Sequence, residues 1–144
     1  MVFRGGPVLT LDVKGRVTVP ARHRDVLVAT VGGQMVVCKN PDGCLSLYPL
    51  PVWEQFEAHL MSQTLESDAW RRLYIGSATE VEIDSASRVL IPPELRAWAG
   101  LDREVKFMGV GPNFELWDTT RYSEREAETI AAGRPEALRN LVVR

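Results

Sequence analysis

Two stretches of the chain alternate apolar and polar residues in the same rhythm. Leu11-Asp12-Val13-Lys14-Gly15-Arg16-Val17-Thr18-Val19-Pro20 lines up with Ile83-Asp84-Ser85-Ala86-Ser87-Arg88-Val89-Leu90-Ile91-Pro92 over ten consecutive positions, 72 residues apart, keeping the Asp, the Arg, the apolar strand positions and the Pro. Alternation at Val17 and Val19, and at Val81 and Ile83, predicts short strands. In each copy one strand (8–12; 79–84) enters a turn and a second (16–19; 88–91) leaves it. Pro20 and Pro92 or Pro93 then open short helices over 21–30 and 93–99, because proline suits the first helical position, where its missing N–H is not needed. Gly32 and Gly100 are the expected stops. Another strand pair follows in each copy, 35–38 with 45–48 and 104–110 with 114–117, joined by loops rich in Gly, Pro, Asn or Asp. The echo continues at an offset of 69, with Leu47-Tyr48-Pro49 facing Leu116-Trp117-Asp118 and Trp53 facing Tyr122.

A helix is expected after each copy. Val52, Trp53, Phe56 and Leu60 mark one apolar face of the first. Ser67 is an N-cap candidate for a further helix carrying Trp70, Leu73 and Tyr74 on one side, and Asp118 caps the helix after copy two. That helix runs through Tyr122 into a charged stretch at 124–128. Beyond Gly133, Leu138, Leu141 and Val142 fall at helical spacing, to pack on a neighbouring subunit or to fray. The organisation is therefore a first repeat at 7–52, connecting helices at 53–77, a second repeat at 78–122 and a helical tail at 123–144. Each repeat is too small to bury a good core alone. Two in one chain can pair face to face with pseudo-twofold symmetry, closing a shared barrel and covering their strand edges.

Composition narrows the class. The chain has 144 residues, 45% of them hydrophobic, which rules out wholesale disorder. No apolar run approaches the ~20 residues a membrane helix needs, and the start turns polar too early for a secretory leader. Cys38 and Cys44 are too few for a disulfide scaffold, and the chain reads as cytoplasmic. Net charge is −2, with 17 basic against 19 acidic residues, so no general attraction to nucleic acid is expected. The distribution is polarised. Residues 1–24 hold Arg4, Lys14, Arg16, Arg22 and Arg24 against Asp12 alone, whereas residues 35–80 hold three bases against six acids.

The repeated turn can be read atom by atom. Asp12 can accept backbone N–H bonds or pair with Arg16 across the turn, and Gly15 permits positive φ. Lys14 and Arg16 then project near a tight turn, placed for phosphate oxygens or a guanine edge. Asp84 and Arg88 repeat the pair. Two explanations stand side by side: each Asp-Arg pair pins its hairpin, or the turns contact DNA, whose twofold surface suits two related arginine-bearing turns. Copy one has Lys14, Gly15, Arg22 and Arg24, where copy two has Ala86, Ser87 and only Arg96, so copy one should dominate any contact.

No catalytic constellation is found, and no enzyme, cofactor, metal site or small-molecule substrate is expected. His23 and His59 lack Ser, Cys or acid partners at motif spacing, and Cys38 and Cys44 do not have zinc spacing. Gly109-Val110-Gly111 is a turn without a phosphate-binding helix. Trp53, Phe56, Trp70, Tyr74, Trp98 and Trp117 are expected in the core.

Phe3-Arg4-Gly5, Leu11 to Arg16, Val19-Pro20-Ala21, Asp42-Gly43-Cys44-Leu45, Tyr48-Pro49, Gly76-Ser77-Ala78-Thr79-Glu80, Asp84 to Arg88 and Ile91-Pro92 together resemble the MraZ family, over nearly all of the chain up to Tyr122. The resemblance implies an α+β, mostly β fold of two tandem swapped-hairpin domains of the AbrB and SpoVT type, with short flanking helices. It implies a homo-oligomer, a ring, that regulates transcription of the bacterial division and cell-wall cluster, its own promoter included. Such proteins bind short repeated boxes in double-stranded DNA and associate with the nucleoid. Carried across, the signature falls on Asp12 and Arg16 and on Asp84 and Arg88, with Lys14 as the basic residue before the glycine; Ser87 stands where the second turn usually has glycine. Arg16, Lys14, Arg22, Arg24 and Arg88 are thus the candidate DNA contacts, and Asp12, Gly15 and Asp84 shape the turns. The other class considered is a protein-binding module of the antitoxin type on the same fold, which usually has one hairpin copy and a long partner-wrapping tail.

Overall fold

Each copy of the repeat lends its first strand to the other. In the computed structural model, which describes residues 1–141 apart from the side chain of Leu65, copy one contains β1 (Phe3–Gly5), β2 (Val8–Thr10), β3 (Arg16–Thr18), α1 (Ala21–Val31), β4 (Gln34–Asn40) and β5 (Cys44–Pro49). A linker of α2 (Leu50–Met61), a 3₁₀ turn (Leu65–Ser67) and α3 (Asp68–Tyr74) follows. Copy two contains β6 (Thr79–Glu82), β7 (Arg88–Leu90), α4 (Pro93–Trp98), β8 (Glu104–Gly111) and β9 (Phe114–Asp118), and the chain continues into α5 (Thr119–Ala132) and α6 (Glu136–Arg139). β2 pairs with β8 of the other copy, and β6 pairs with β4. The hydrogen-bonded order is β1-β8-β9-β5-β4-β6, with β2 beside β1 on β8, so this path has two ends. β3 and β7 form a separate two-stranded ribbon. The fold is α+β, mostly β at its centre, with several helices around it.

The registers are self-reciprocal. In the ribbon Val17 faces Val89, flanked by Arg16 opposite Leu90 and Thr18 opposite Arg88. In the sheet Ser46 faces Glu115, flanked by Leu45 opposite Leu116 and Leu47 opposite Phe114. Each pairing maps onto itself when the copies are exchanged, so an approximate twofold axis passes through both places. Val17, Val19, Val89 and Ile91 point inward with Leu27, Leu45, Leu47, Phe107, Phe114 and Leu116, in one core built from both copies. Burying each such side chain is worth about 1.5–3 kcal/mol, which is what holds the ribbon against the sheet. A second cluster of Val36, Cys38 and Trp53 lies on the outer face of β4 and β5, under α2 and α3.

Several details differ from the pattern-based expectation. β1 was not foreseen; Phe3 anchors it in the core, and it extends the partnership with β8. Pro20 is the N-cap of α1 rather than its first residue, while Pro92 caps α4 and Pro93 begins it. α2 starts earlier than expected, at Leu50, so only its later turns belong to the 53–77 segment. Ser67 is at the N-cap of α3, but its side chain makes no capping bond, whereas Asp118 does cap α5, accepting from the Arg121 N–H at 2.9 Å. Trp70 is 51% exposed, because α3 buries none of its residues, and its ring stacks on Tyr74. The tail folds as α6 with Leu138 and Leu141 exposed; Val142 lies outside the described residues.

Candidate nucleic-acid interface

The two Asp-to-Arg turns close with the same bonds. In the first, the Asp12 N–H donates to the Arg16 carbonyl at 2.9 Å and the Gly15 N–H to the Asp12 carbonyl at 3.0 Å. Asp12 Oδ1 accepts from the Lys14 and Arg16 N–H groups, both at 2.9 Å, and Oδ2 accepts from Arg16 Nε at 2.6 Å. In the second, Asp84 Oδ1 accepts from the Ala86 and Arg88 N–H groups at 2.9 Å, and Oδ2 from Arg88 Nε at 3.2 Å. Both carboxyls are consequently held low. The Arg16 N–H does most to bring Asp12 down to about 2, helped by the Arg16 guanidinium and the Lys14 N–H. Asp84 is lowered first by the Arg88 N–H.

Ser87 answers for the missing glycine by adopting φ +65°, close to the +86° of Gly15. A serine in the left-handed region is uncommon and costs on the order of 1 kcal/mol. The surrounding bonds hold it there: its N–H donates to the Asp84 carbonyl and its own carbonyl accepts from the Val19 N–H of copy one, at 2.8 Å. The reciprocal bond runs from the Ile91 N–H to the Gly15 carbonyl at 2.9 Å. Each turn is therefore tied to the strand of the opposite copy.

This arrangement puts both arginines on one surface. Alternation along the ribbon turns Val17 and Val89 inward and Arg16, Thr18, Arg88 and Leu90 outward. Arg16 and Arg88 are diagonal neighbours, roughly 7–8 Å apart at the backbone. Each uses Nε to hold its aspartate, and among the described residues neither has a hydrogen-bond partner on its Nη groups. Lys14 is exposed beside Arg16. The structure thus brings Lys14, Arg16 and Arg88 together around the ribbon. Arg22 and Arg24 are placed differently. Arg22 lies against Gly5 and donates to the Arg4 carbonyl at 3.2 Å, and Arg24 pairs with Asp25 at 3.2 Å.

Sequence order conceals one basic neighbour. Arg96, on α4 of copy two, packs across Gly15 of copy one and donates from Nε to the Ile91 carbonyl at 2.9 Å. A Cβ at Gly15 would run into that guanidinium. Arg96 also lines an open groove of about 680 Å³ with Asp12, Val13 and Arg103 beside the first turn. In the sequence Arg96 stands out only as the remaining basic residue of copy two, at the 72-residue offset from Arg24, which does not reveal that the copies exchange neighbours.

The remaining polar groups have structural surroundings. Cys38 and Cys44 are buried free thiols, and burial pushes Cys38 up to about 12 and Cys44 further in the same direction. Among the described residues no three His, Cys, Asp or Glu side chains cluster as a metal site, and no helix is long and apolar enough to cross a membrane.

The family model described as "MraZ protein, putative antitoxin-like" matches the chain twice, over residues 2–74 and 74–144. The chain is similar to proteins named Transcriptional regulator MraZ from Ralstonia pickettii (strain 12J), Burkholderia cenocepacia (strain J2315) and Burkholderia mallei (strain SAVP1). Each is 47% identical over 139 residues, covering 96% of this chain and 98% of the relative. The tandem match falls on the two halves that the strand registers relate, and on these grounds the chain belongs to the MraZ family.

Proposed function

We propose that this transcriptional regulator acts by binding double-stranded DNA sequence-specifically, with the first Asp-to-Arg turn as its main contact. The carrying observation is the outward face of the ribbon, where Arg16 and Arg88 are fixed by their aspartates through Nε and keep their Nη donors free. A two-stranded ribbon fits the major groove, and a guanidinium held by its own turn is oriented for guanine or phosphate before DNA arrives. Lys14 supplies a mobile charge next to it.

The target is a set of short repeated boxes upstream of a bacterial division and cell-wall gene cluster that includes the protein's own gene. On a subunit of net charge −2 one turn binds weakly. A ring of subunits with ribbons on successive boxes raises affinity without new contacts, provided box spacing fits the ring. The ribbon closes the sheet as a barrel, and the protein acts in the cytoplasm, at the nucleoid. The division into 7–52, 53–77, 78–122 and 123–144 belongs to the same proposal. A second reading, a protein-binding module of the antitoxin type, is favoured by α5, which buries none of its residues.

The test is an anisotropy titration of wild type and Arg16→Ala against the DNA upstream of this gene, with scrambled DNA as control. Wild type should prefer the upstream DNA, and Arg16→Ala should lose about 1–3 kcal/mol of specific binding while staying folded and assembled. Binding should also weaken steeply with salt as phosphates release counterions. An assembled wild type indifferent to sequence would move the search to protein partners.

A further inference from the structure

At the tip of the first turn stands an apolar side chain that the fold does not use. Val13 is 99% exposed, between Asp12 and Lys14. Its backbone is held on both sides, since the Lys14 N–H donates to Asp12 Oδ1 and the Gly15 N–H to the Asp12 carbonyl. The turn does not require valine there, because the second turn makes the same bonds around Ser85. A valine left wholly in water forgoes the burial for which the residue is suited. It is also stiff about χ1, so it presents two methyl groups with little freedom to lose on contact.

The neighbours narrow what those methyls meet. Val13 and Lys14 share the tight turn that the Asp12–Arg16 bonds close, so whatever brings Lys14 and Arg16 to DNA brings Val13 with them. The one apolar group on a base edge in the major groove is the C5-methyl of thymine. We propose that Val13 reads a thymine methyl next to the Arg16 contact, an inference that rests on the DNA-binding reading above. Ser85 has no methyl to offer at the related position. The two turns therefore read unlike bases, and each subunit sits on its box in one orientation.

The experiment uses the full-length protein and the upstream DNA, with each thymine in turn replaced by deoxyuridine, which removes only the methyl group. Wild type, Val13→Ser and Leu90→Thr are compared, because Leu90, 52% exposed, is the other apolar side chain on the outward face of the ribbon. Val13→Ser installs what the second turn already carries, so its thermal melt should match wild type. At one position, loss of the methyl should weaken wild-type binding about fourfold, the worth of one buried methylene. Val13→Ser should bind the normal DNA more weakly by a similar factor and ignore the replacement, while Leu90→Thr should remain sensitive to it. Specific, Arg16-dependent binding with no methyl effect overturns the role of Val13 and leaves the DNA reading intact. So does a methyl effect that survives in Val13→Ser. Failure of wild type to prefer the upstream DNA overturns both.

Discussion

Asp12 and His23 respond to pH in the same direction, for different reasons. The Asp12 carboxyl lies below its ordinary 3.8, at about 2, because the Arg16 N–H and then the Arg16 side chain bind its charged form. A carboxylate lowered on folding stabilises the fold above the unfolded value, and that contribution is lost as pH falls through the folded one. Denaturant midpoints measured down from pH 3.8 towards 2 should therefore drop, and Asp12→Asn should remove part of the slope. Asp84, lowered through the Arg88 N–H, adds to it, so the double variant should be flatter still. His23 is 6% exposed, set edge-on against the touching rings of Phe3 and Phe114, with no partner for its buried Nε2. Burial first, and then the Arg22 charge, lower its pKa below 6.5. Below that value the unfolded chain takes up the proton more readily than the fold, so stability declines as pH falls. His23→Phe keeps a ring against the two phenylalanines and should flatten the stability curve just below pH 6.5. An unchanged slope there would mean that His23 does not titrate with folding.

At the scale of the elements, the turns show how much a matching sequence can hide. Gly15 and Ser87 adopt similar φ angles in matching sequence, and at Gly15 the guanidinium packed over the backbone comes from Arg96 of the other copy. Gly15→Ala should cost about 1–3 kcal/mol by thermal melting, from left-handed strain and the collision with Arg96. In an Arg96→Ala background it should cost less, and additive losses would show that the packing is not coupled. Ser87→Gly should change stability by less than about 1 kcal/mol, since relief of strain is offset by a floppier unfolded chain. The turn itself was legible because its bonds are local: Asp12 reaches only as far as Arg16. The inward strand residues were legible too, since Val17 and Val89 obey a period of two. Trp70 was not, because helical spacing records which residues share a face and not whether anything covers that face. Arg96 over Gly15 and Arg22 against Gly5 were likewise hidden, both being contacts between elements distant in the chain.

For the whole molecule, the exchange of strands means that neither half has a complete sheet. Copy one supplies β2, β3, β4 and β5, and each pairs with a strand of copy two: β8, β7, β6 and β9 respectively. Ile83, Val89, Ile91, Leu95, Phe107, Phe114 and Leu116 of copy two also complete the core. At about 1.5–3 kcal/mol for each buried side chain, losing even several exceeds the ~5–15 kcal/mol by which domains are stable. A fragment of residues 1–77 should therefore not fold as a monomer. The self-reciprocal registers offer it another route, because a second copy of the fragment can stand in for the missing half. Val17 would then face Val17 and Ser46 face Ser46 across a true twofold axis, as Val17 faces Val89 and Ser46 faces Glu115 in the intact chain. Circular dichroism of the fragment should show strand signal that disappears on dilution, with light scattering giving a dimer mass wherever the signal is present. A fragment that remains folded and monomeric at every concentration would mean that copy one holds a sufficient core of its own, against the strand exchange described here. The dimer would present two first turns, each with its Lys14 and Arg16, and its affinity for upstream DNA would measure what the second, less basic turn withholds from the natural chain.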